Sequence, residues 1–142
     1  MTAVAKWYGG AFLKAFNKEI AWSTDTIKVM LCTSSYVPNR DTHVYKSDVT
    51  NEVTAAGSYS AGGATLTTKT ITWDAVNHQM ILDADDVSWA GGAPVARIAV
   101  IYDASPSTDA TRPLLGYVDF GTDLAVLTIA WDPTGIFNDA SL

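Results

Sequence analysis

Cysteine, basic residues and long apolar runs are all scarce in this sequence of 142 residues. The single cysteine, Cys32, excludes an intramolecular disulfide and a zinc site built from cysteines, so a disulfide-stapled secreted scaffold is not expected. Nine Lys and Arg residues stand against 15 Asp and Glu residues, and the formal net charge of -6 repels phosphate backbones. We therefore expect no nucleic-acid partner.

Two further absences bear on where the chain is used. No apolar run approaches the ~20 residues that a membrane-spanning helix needs, so we expect no membrane association. The first residues lack the charged segment and the apolar segment of a signal peptide. We expect a protein that is made in a cytoplasm and is used there or in an assembly built there.

The composition favours one folded domain. Charged residues make up 17% of the chain, while 48% of the residues are hydrophobic and 11% are aromatic. That balance is sufficient to bury a core and excludes global disorder. We expect a single β-rich domain over residues 1–142, with residues 1–10 as a short N-terminal arm.

One amphipathic helix is expected near the N-terminus. Phe12, Phe16 and Ile20 recur at fourfold spacing, and Lys14 lies on the opposite side. This pattern predicts a helix over residues 11–20 that packs one face against a partner surface.

The rest of the chain has the texture of strands joined by turns. β-branched and aromatic runs alternate with Gly, Pro, Asn and Asp, with no alternation of strands and helices, which predicts about seven short strands. We expect a mainly β fold, an antiparallel β-sandwich or open barrel. Residues 74–78 read as a hairpin turn, residues 36–60 as a polar excursion with one helical turn, and residues 103–113 as an exposed loop. The strand-like runs are residues 26–32, 64–73, 79–83, 87–89, 95–102, 114–120 and 124–131.

No catalytic or metal-binding pattern stands out. His43 lies in the polar excursion and His78 in the hairpin turn, and no serine lies in a Gly-x-Ser-x-Gly elbow. Asp83, Asp85 and Asp86 lack the spacing of a calcium loop, which favours a solvated turn over an ion site. The sequence indicates a protein that is not an enzyme and uses no cofactor.

Four of the five tryptophans fall into two groups. Trp73, Trp89 and Trp131 lie at strand ends, where large rings close a core, although an exposed set of rings could also stack on sugars. Trp7 and Tyr8 lie in an arm too short to have its own core. They either fold back onto the domain or dock onto another chain, since interfaces are enriched in aromatic anchors.

Six pieces of the chain, in this order, resemble a family of small virion structural proteins of tailed bacteriophages. The resemblance covers nearly the whole chain and implies a structural role in a virion. The pieces are the pair WY (7–8) before the predicted helix, WSTDTIKVMLCTSSYVP (22–38), DVTNEV (48–53), YSAGGATL (59–66), DDVSW (85–89) and LGYVDFG (115–121).

The family resemblance favours a capsid decoration, or cement, protein that binds the lattice of the major capsid protein. Self-association on the virion, as a trimer, is expected by analogy. A tail, fibre or head-to-tail connector component is an alternative, and a small carbohydrate-binding adsorption module is another. The residues expected to make interface contacts are Lys6, Trp7, Tyr8, Tyr36, Arg40, His43 and Tyr45.

Overall fold

The computed structural model describes residues 2–92, 94–126 and 128–138, and it is mainly β with antiparallel sheets and one α-helix. This confirms the predicted fold class. The described ranges contain ten strands rather than about seven, because the predicted run over residues 64–73 is divided into two strands and the arm contributes two. The elements are β1 (Thr2–Ala3), β2 (Lys6–Trp7), α1 (Gly10–Phe16), β3 (Ile27–Cys32), β4 (Ala64–Thr65), β5 (Thr70–Asp74), β6 (Gln79–Asp83), β7 (Val87–Ser88), β8 (Val95–Asp103), β9 (Leu114–Ala125) and β10 (Thr128–Trp131).

The largest sheet has five strands in the order β2-β9-β8-β3-β4. β3 pairs antiparallel with β8 along its whole length, from Ile27 opposite Asp103 to Cys32 opposite Ile98. Side chains alternate between the two faces of a strand, so Val29 joins one core cluster and Met30 joins the other. The sheet is therefore buried on both faces in its centre.

The N-terminal arm is part of both larger sheets. β1 pairs in parallel with β10, and β2 pairs antiparallel with β9. β10 also pairs antiparallel with β7, which completes a three-stranded sheet in the order β1-β10-β7. The arm therefore folds back onto its own domain. This is one of the two alternatives predicted for Trp7 and Tyr8.

A glycine makes room for the arm. Gly116 lies opposite Trp7 in the pairing of β2 with β9. A Cβ atom at Gly116 would collide with the Phe137 ring and with the backbone oxygen of Lys6. The Trp7 and Phe137 rings stack there with their centroids 3.8 Å apart.

The helix is shorter than predicted. α1 ends at Phe16, and Asn17 caps its C-terminus. Lys18 then adopts a left-handed conformation with φ of 64°, which no continuing right-handed helix allows. The predicted continuation to Ile20 is wrong, and Phe16 is left 88% exposed at the end of the helix.

β5 and β6 form a separate two-stranded hairpin. The predicted strand over residues 64–73 is interrupted between β4 and β5, where Thr68 has φ of 53°. The predicted turn is confirmed: the Asp74 carboxylate accepts the backbone N–H groups of Val76 and Asn77, and His78 has φ of 56°.

The two predicted irregular segments are broadly confirmed. The polar excursion holds one short 3-10 turn, Lys46–Asp48, and the segment after β8 holds another, Asp109–Thr111. Most residues from 104 to 112 are exposed or half-buried, whereas Asp103 and Pro113 at the two ends are buried. Neither these turns nor α1, the helices of the described ranges, is long and apolar enough to cross a membrane.

Candidate functional site

The exposed apolar surface is concentrated where α1 faces the β5–β6 hairpin. Between these two elements lies an open cavity of about 230 Å³, which we call the apolar groove. No charged side chain is among the residues that line it. These residues are Trp7, Ala11, Phe12, Ala15, Phe16, Ile20, Trp22, Ile71, Met80, Leu82 and Leu115.

The floor of the apolar groove is built from packed aromatic rings. Trp7 stacks on Phe137, and the Phe12 ring lies 5.0 Å from Trp7 at a tilt. Trp22 approaches Phe137 edge-on and donates its indole N–H to the backbone oxygen of Thr70 at 2.8 Å. The hydrogen bond from Trp22 to Thr70 ties β5 to the chain that follows α1. Both walls of the groove therefore rest on the same cluster of aromatic rings.

The walls follow from side-chain alternation and helical spacing. Ile71 and Leu82 are paired across the hairpin, as are Trp73 and Met80, so these four apolar side chains share one face. Leu82 is buried at the base, whereas Trp73 is 64% exposed towards the tip. The expectation that Trp73 is a core residue is wrong, since none of the described residues forms a second layer over that end of the hairpin.

The chemistry available in the groove is limited to apolar contact. The described residues that line it offer apolar and aromatic side chains, which suit contact with an apolar surface. Lys14, on the outer side of α1, is engaged elsewhere: its ammonium donates to the Tyr45 hydroxyl at 2.6 Å and pairs with Glu19 at 3.2 Å.

Five of the seven residues predicted to contact a neighbour in fact contact one another. The hydroxyls of Tyr8 and Tyr36 are 2.7 Å apart, and the Tyr36 hydroxyl lies 3.0 Å from His43 Nδ1. Arg40 donates from Nε to the backbone oxygen of Trp7 at 2.8 Å. The arm and the polar excursion are therefore joined within the chain.

Burial corrects the interface prediction at three positions. Trp7, Tyr8 and Tyr36 are 7%, 0% and 3% exposed, because the arm is built into the sheets and covers the aromatic core. Burial also raises the pKa of Tyr36 to about 12 and holds the pKa of Tyr8 far above its ordinary value. These rings are structural in the single chain and cannot serve as exposed anchors.

The other interface residues keep accessible surface. Lys6 is exposed beside β9, and Arg40, His43 and Tyr45 are half-buried along the polar excursion. A role for these four in binding another chain stays a prediction.

The remaining polar candidates have local partners. Asp85 accepts the Thr68 hydroxyl at 2.6 Å, and Asp86 accepts the backbone N–H of Trp131 at 2.9 Å. Burial raises the pKa of the Cys32 thiol to about 12, which makes it a poor nucleophile. In the ranges that the structure describes, no three His, Cys, Asp or Glu side chains gather at a point where they could hold a metal ion.

No protein-family model, curated protein or solved structure matches this chain. The likeness to virion structural proteins therefore rests on the six sequence pieces alone.

The apolar groove was not foreseen from the sequence. The fourfold spacing of Phe12 and Phe16 did signal a face that needs a partner. What the sequence could not supply is that the hairpin, and not a further layer of sheet, stands opposite that face.

Proposed function

We propose that this chain is a non-enzymatic structural protein of a tailed-phage virion, a decoration protein that binds the lattice of the major capsid protein. The family resemblance is the basis for proposing a role in a virion. The observation that carries a binding role is the apolar groove, where Phe16, Ile71 and Met80 form an exposed rim above a buried aromatic floor. Exposed apolar side chains grouped around one pocket, rather than scattered singly over the surface, support this proposal.

The groove replaces the arm as the proposed lattice contact. Because Trp7 and Tyr8 are buried, the aromatic anchors available to a capsid protein are Phe16 and Trp73, which are 88% and 64% exposed. A decoration protein that binds the assembled shell better than free subunits stabilises the shell by linkage, and many copies need only modest individual affinity. Self-association as a trimer on the lattice belongs to the same proposal.

The location in the virion is tested by immunogold electron microscopy with an antibody against residues 104–112, most of which are accessible. Label over the whole head supports decoration. Label confined to the tail or neck would replace it with a tail, fibre or connector role.

The contact surface is tested by co-sedimentation with capsids that lack this protein. Phe16→Ser and Trp73→Ser should each weaken binding at least about tenfold, as expected for aromatic anchors at the centre of an interface. Phe16 lines the groove, and Trp73 lies on the hairpin face that it shares with Ile71 and Met80, which line it. Val95→Ser is the matched control, because Val95 is 57% exposed and lies neither in the groove lining nor on that hairpin face. Equal binding by all three variants would reject the groove as the contact.

One observation favours a second function, carbohydrate binding by exposed tryptophan. Trp73 lies on an open strand, and its indole face is accessible for stacking on a sugar. A change in Trp fluorescence on adding host-surface glycans, lost in Trp73→Ser, would favour the adsorption module. A flat response across the glycans would remove it.

A further inference from the structure

The buried end of β8 contains an acidic side chain with one oxygen that lacks a hydrogen-bond donor in the described part of the chain. Asp103 is 0% exposed, and its Oδ1 accepts the backbone N–H of Ser105 at 2.9 Å. Its Oδ2 is buried and, among the described residues, has no hydrogen-bond donor facing it. An acceptor left unpaired in a protein interior is costly, so something must satisfy this oxygen.

The group that faces Asp103 is a second carboxyl. Asp25 lies two residues before Ile27, which is paired with Asp103, and the carboxyl groups of Asp25 and Asp103 interact. Its Oδ2 already accepts the backbone N–H of Ala21 at 2.8 Å. Two ionised carboxylates cannot share such a site, whereas one proton between them supplies the missing donor.

The basic groups nearby are used elsewhere. Lys69, which precedes β5, donates its ammonium to the backbone oxygen of Asp25 rather than to either carboxyl. Arg112 donates to the backbone oxygen of Pro106 and to Asp109. Lys28 of β3 lines the neighbouring polar cavity with Lys46 and Glu52, on the side of Thr26 and Ser105.

We propose that Asp25 and Asp103 share one proton, forming a pH-sensitive clasp that holds the segment after β8 against the start of β3. Asp103 is the protonated partner because it is fully buried, whereas Asp25 is half-buried. Two further bonds close the same joint: the Thr26 N–H donates to Ser105 Oγ at 2.7 Å, and the Ala104 N–H donates to the Thr26 oxygen at 2.8 Å. The clasp does not depend on any role in a virion.

The sign of the pH dependence follows from the direction of the shift. Burial, and then the neighbouring Asp25, raise the pKa of Asp103 from 3.8 to about 7. The folded chain therefore holds this proton at pH values where the unfolded chain has lost it. Stability should fall as the pH rises from about 4 to about 7, because the folded state must give up the proton and bury a second charge. Above that range neither state holds the proton, and the stability should level off.

The first test compares unfolding at pH 5 and pH 8 by urea denaturation. For the natural sequence, the part of the unfolding equilibrium constant that is due to Asp103 should rise by at least about tenfold between these values. Asp103→Asn should remove that rise, because its amide donates an N–H to Asp25 at every pH. Asp123→Asn removes the same charge from an exposed position and should keep the rise. Equal pH dependence in Asp103→Asn and the natural sequence would overturn the clasp.

Two measurements keep the proposal testable if Asp103→Asn does not fold. Infrared spectra of the natural sequence should show the band of one buried protonated carboxyl at pH 6, and this band should disappear above pH 8. Addition of CaCl2 at pH 8 should leave the urea midpoint unchanged. Absence of the band, or a calcium-dependent rise in the midpoint, would show that a proton does not fill the site.

Discussion

The central strands and the β5–β6 hairpin both carry apolar side chains, yet these side chains have opposite fates. In β3 and β8, residues such as Leu31, Val100 and Ile101 are 0% exposed, since core clusters lie on both faces of the sheet. On the hairpin, Trp73 and Val76 are 64% and 85% exposed. Apolar composition selects strands in both places, but only a covering layer makes a core. The hairpin and α1 therefore present surface that is available to another macromolecule.

The largest expected effect is the difference in stability loss between a tryptophan of the core and a tryptophan of the hairpin. Trp7→Ala should lower the free energy of unfolding by about 3–5 kcal/mol, because it empties the stack on Phe137 and detaches β2. Trp73→Ala should cost less than about 1 kcal/mol, since most of its side chain is already in water. Urea denaturation measures both. Equal losses would mean that the hairpin face is as well packed as the core.

The next effect concerns the hydroxyl network that joins the arm to the polar excursion. Tyr36→Phe should cost about 1–3 kcal/mol, because the buried Tyr8 hydroxyl loses its bond to Tyr36 and has no water to replace it. Tyr45→Phe is the control and should cost less than about 1 kcal/mol, since Tyr45 is half-buried and the Lys14 ammonium that bonds to its hydroxyl also pairs with Glu19. Thermal unfolding monitored by near-UV circular dichroism distinguishes the two.

The sequence was most informative where local chemistry decides the structure. Alternation in residues 27–32 placed Val29 and Leu31 on one face, and the Asp74 turn was recognisable from its residues. It was least informative where distant residues decide. The burial of Trp7 depends on Gly116 and Phe137, which no short-range pattern links to the arm.

The helix end and the apolar groove show the same limit. Fourfold spacing continues from Phe16 to Ile20, but the left-handed turn at Lys18 interrupts it, and lysine is not a residue that signals such a turn. Trp73 was assigned to the core because it ends a strand-like run. Whether a strand end is covered depends on which layer packs against it, and this is a property of the tertiary fold.

A smaller effect on stability, together with an effect on dye binding, is expected at the groove rim. Phe16→Ser should change the free energy of unfolding by no more than about 0.5 kcal/mol, because the ring is almost wholly exposed. It should nevertheless reduce the fluorescence of a bound apolar dye such as ANS, because the rim loses its largest apolar side chain. Val37→Ser, at another exposed apolar position, should leave dye binding unchanged. An identical dye response from both variants would remove the distinction between the groove and the rest of the surface.

The smallest expected effect lies at the hairpin tip, where polar bonds and not a core hold the chain. The Asn77 side chain, together with the backbone N–H groups of Asn77 and Val76, lowers the pKa of Asp74 below its usual range. These bonds contribute stability above the unfolded pKa and are lost as the pH falls through the folded value. Amide NMR shifts of Val76 should therefore titrate below pH 3.8, while those of Val100 in the central sheet stay constant over the same range. Asn77→Ala should raise the titration midpoint towards 3.8, since it removes the largest contribution. A midpoint unchanged by Asn77→Ala would mean that the turn, like the core, is held by something other than these bonds.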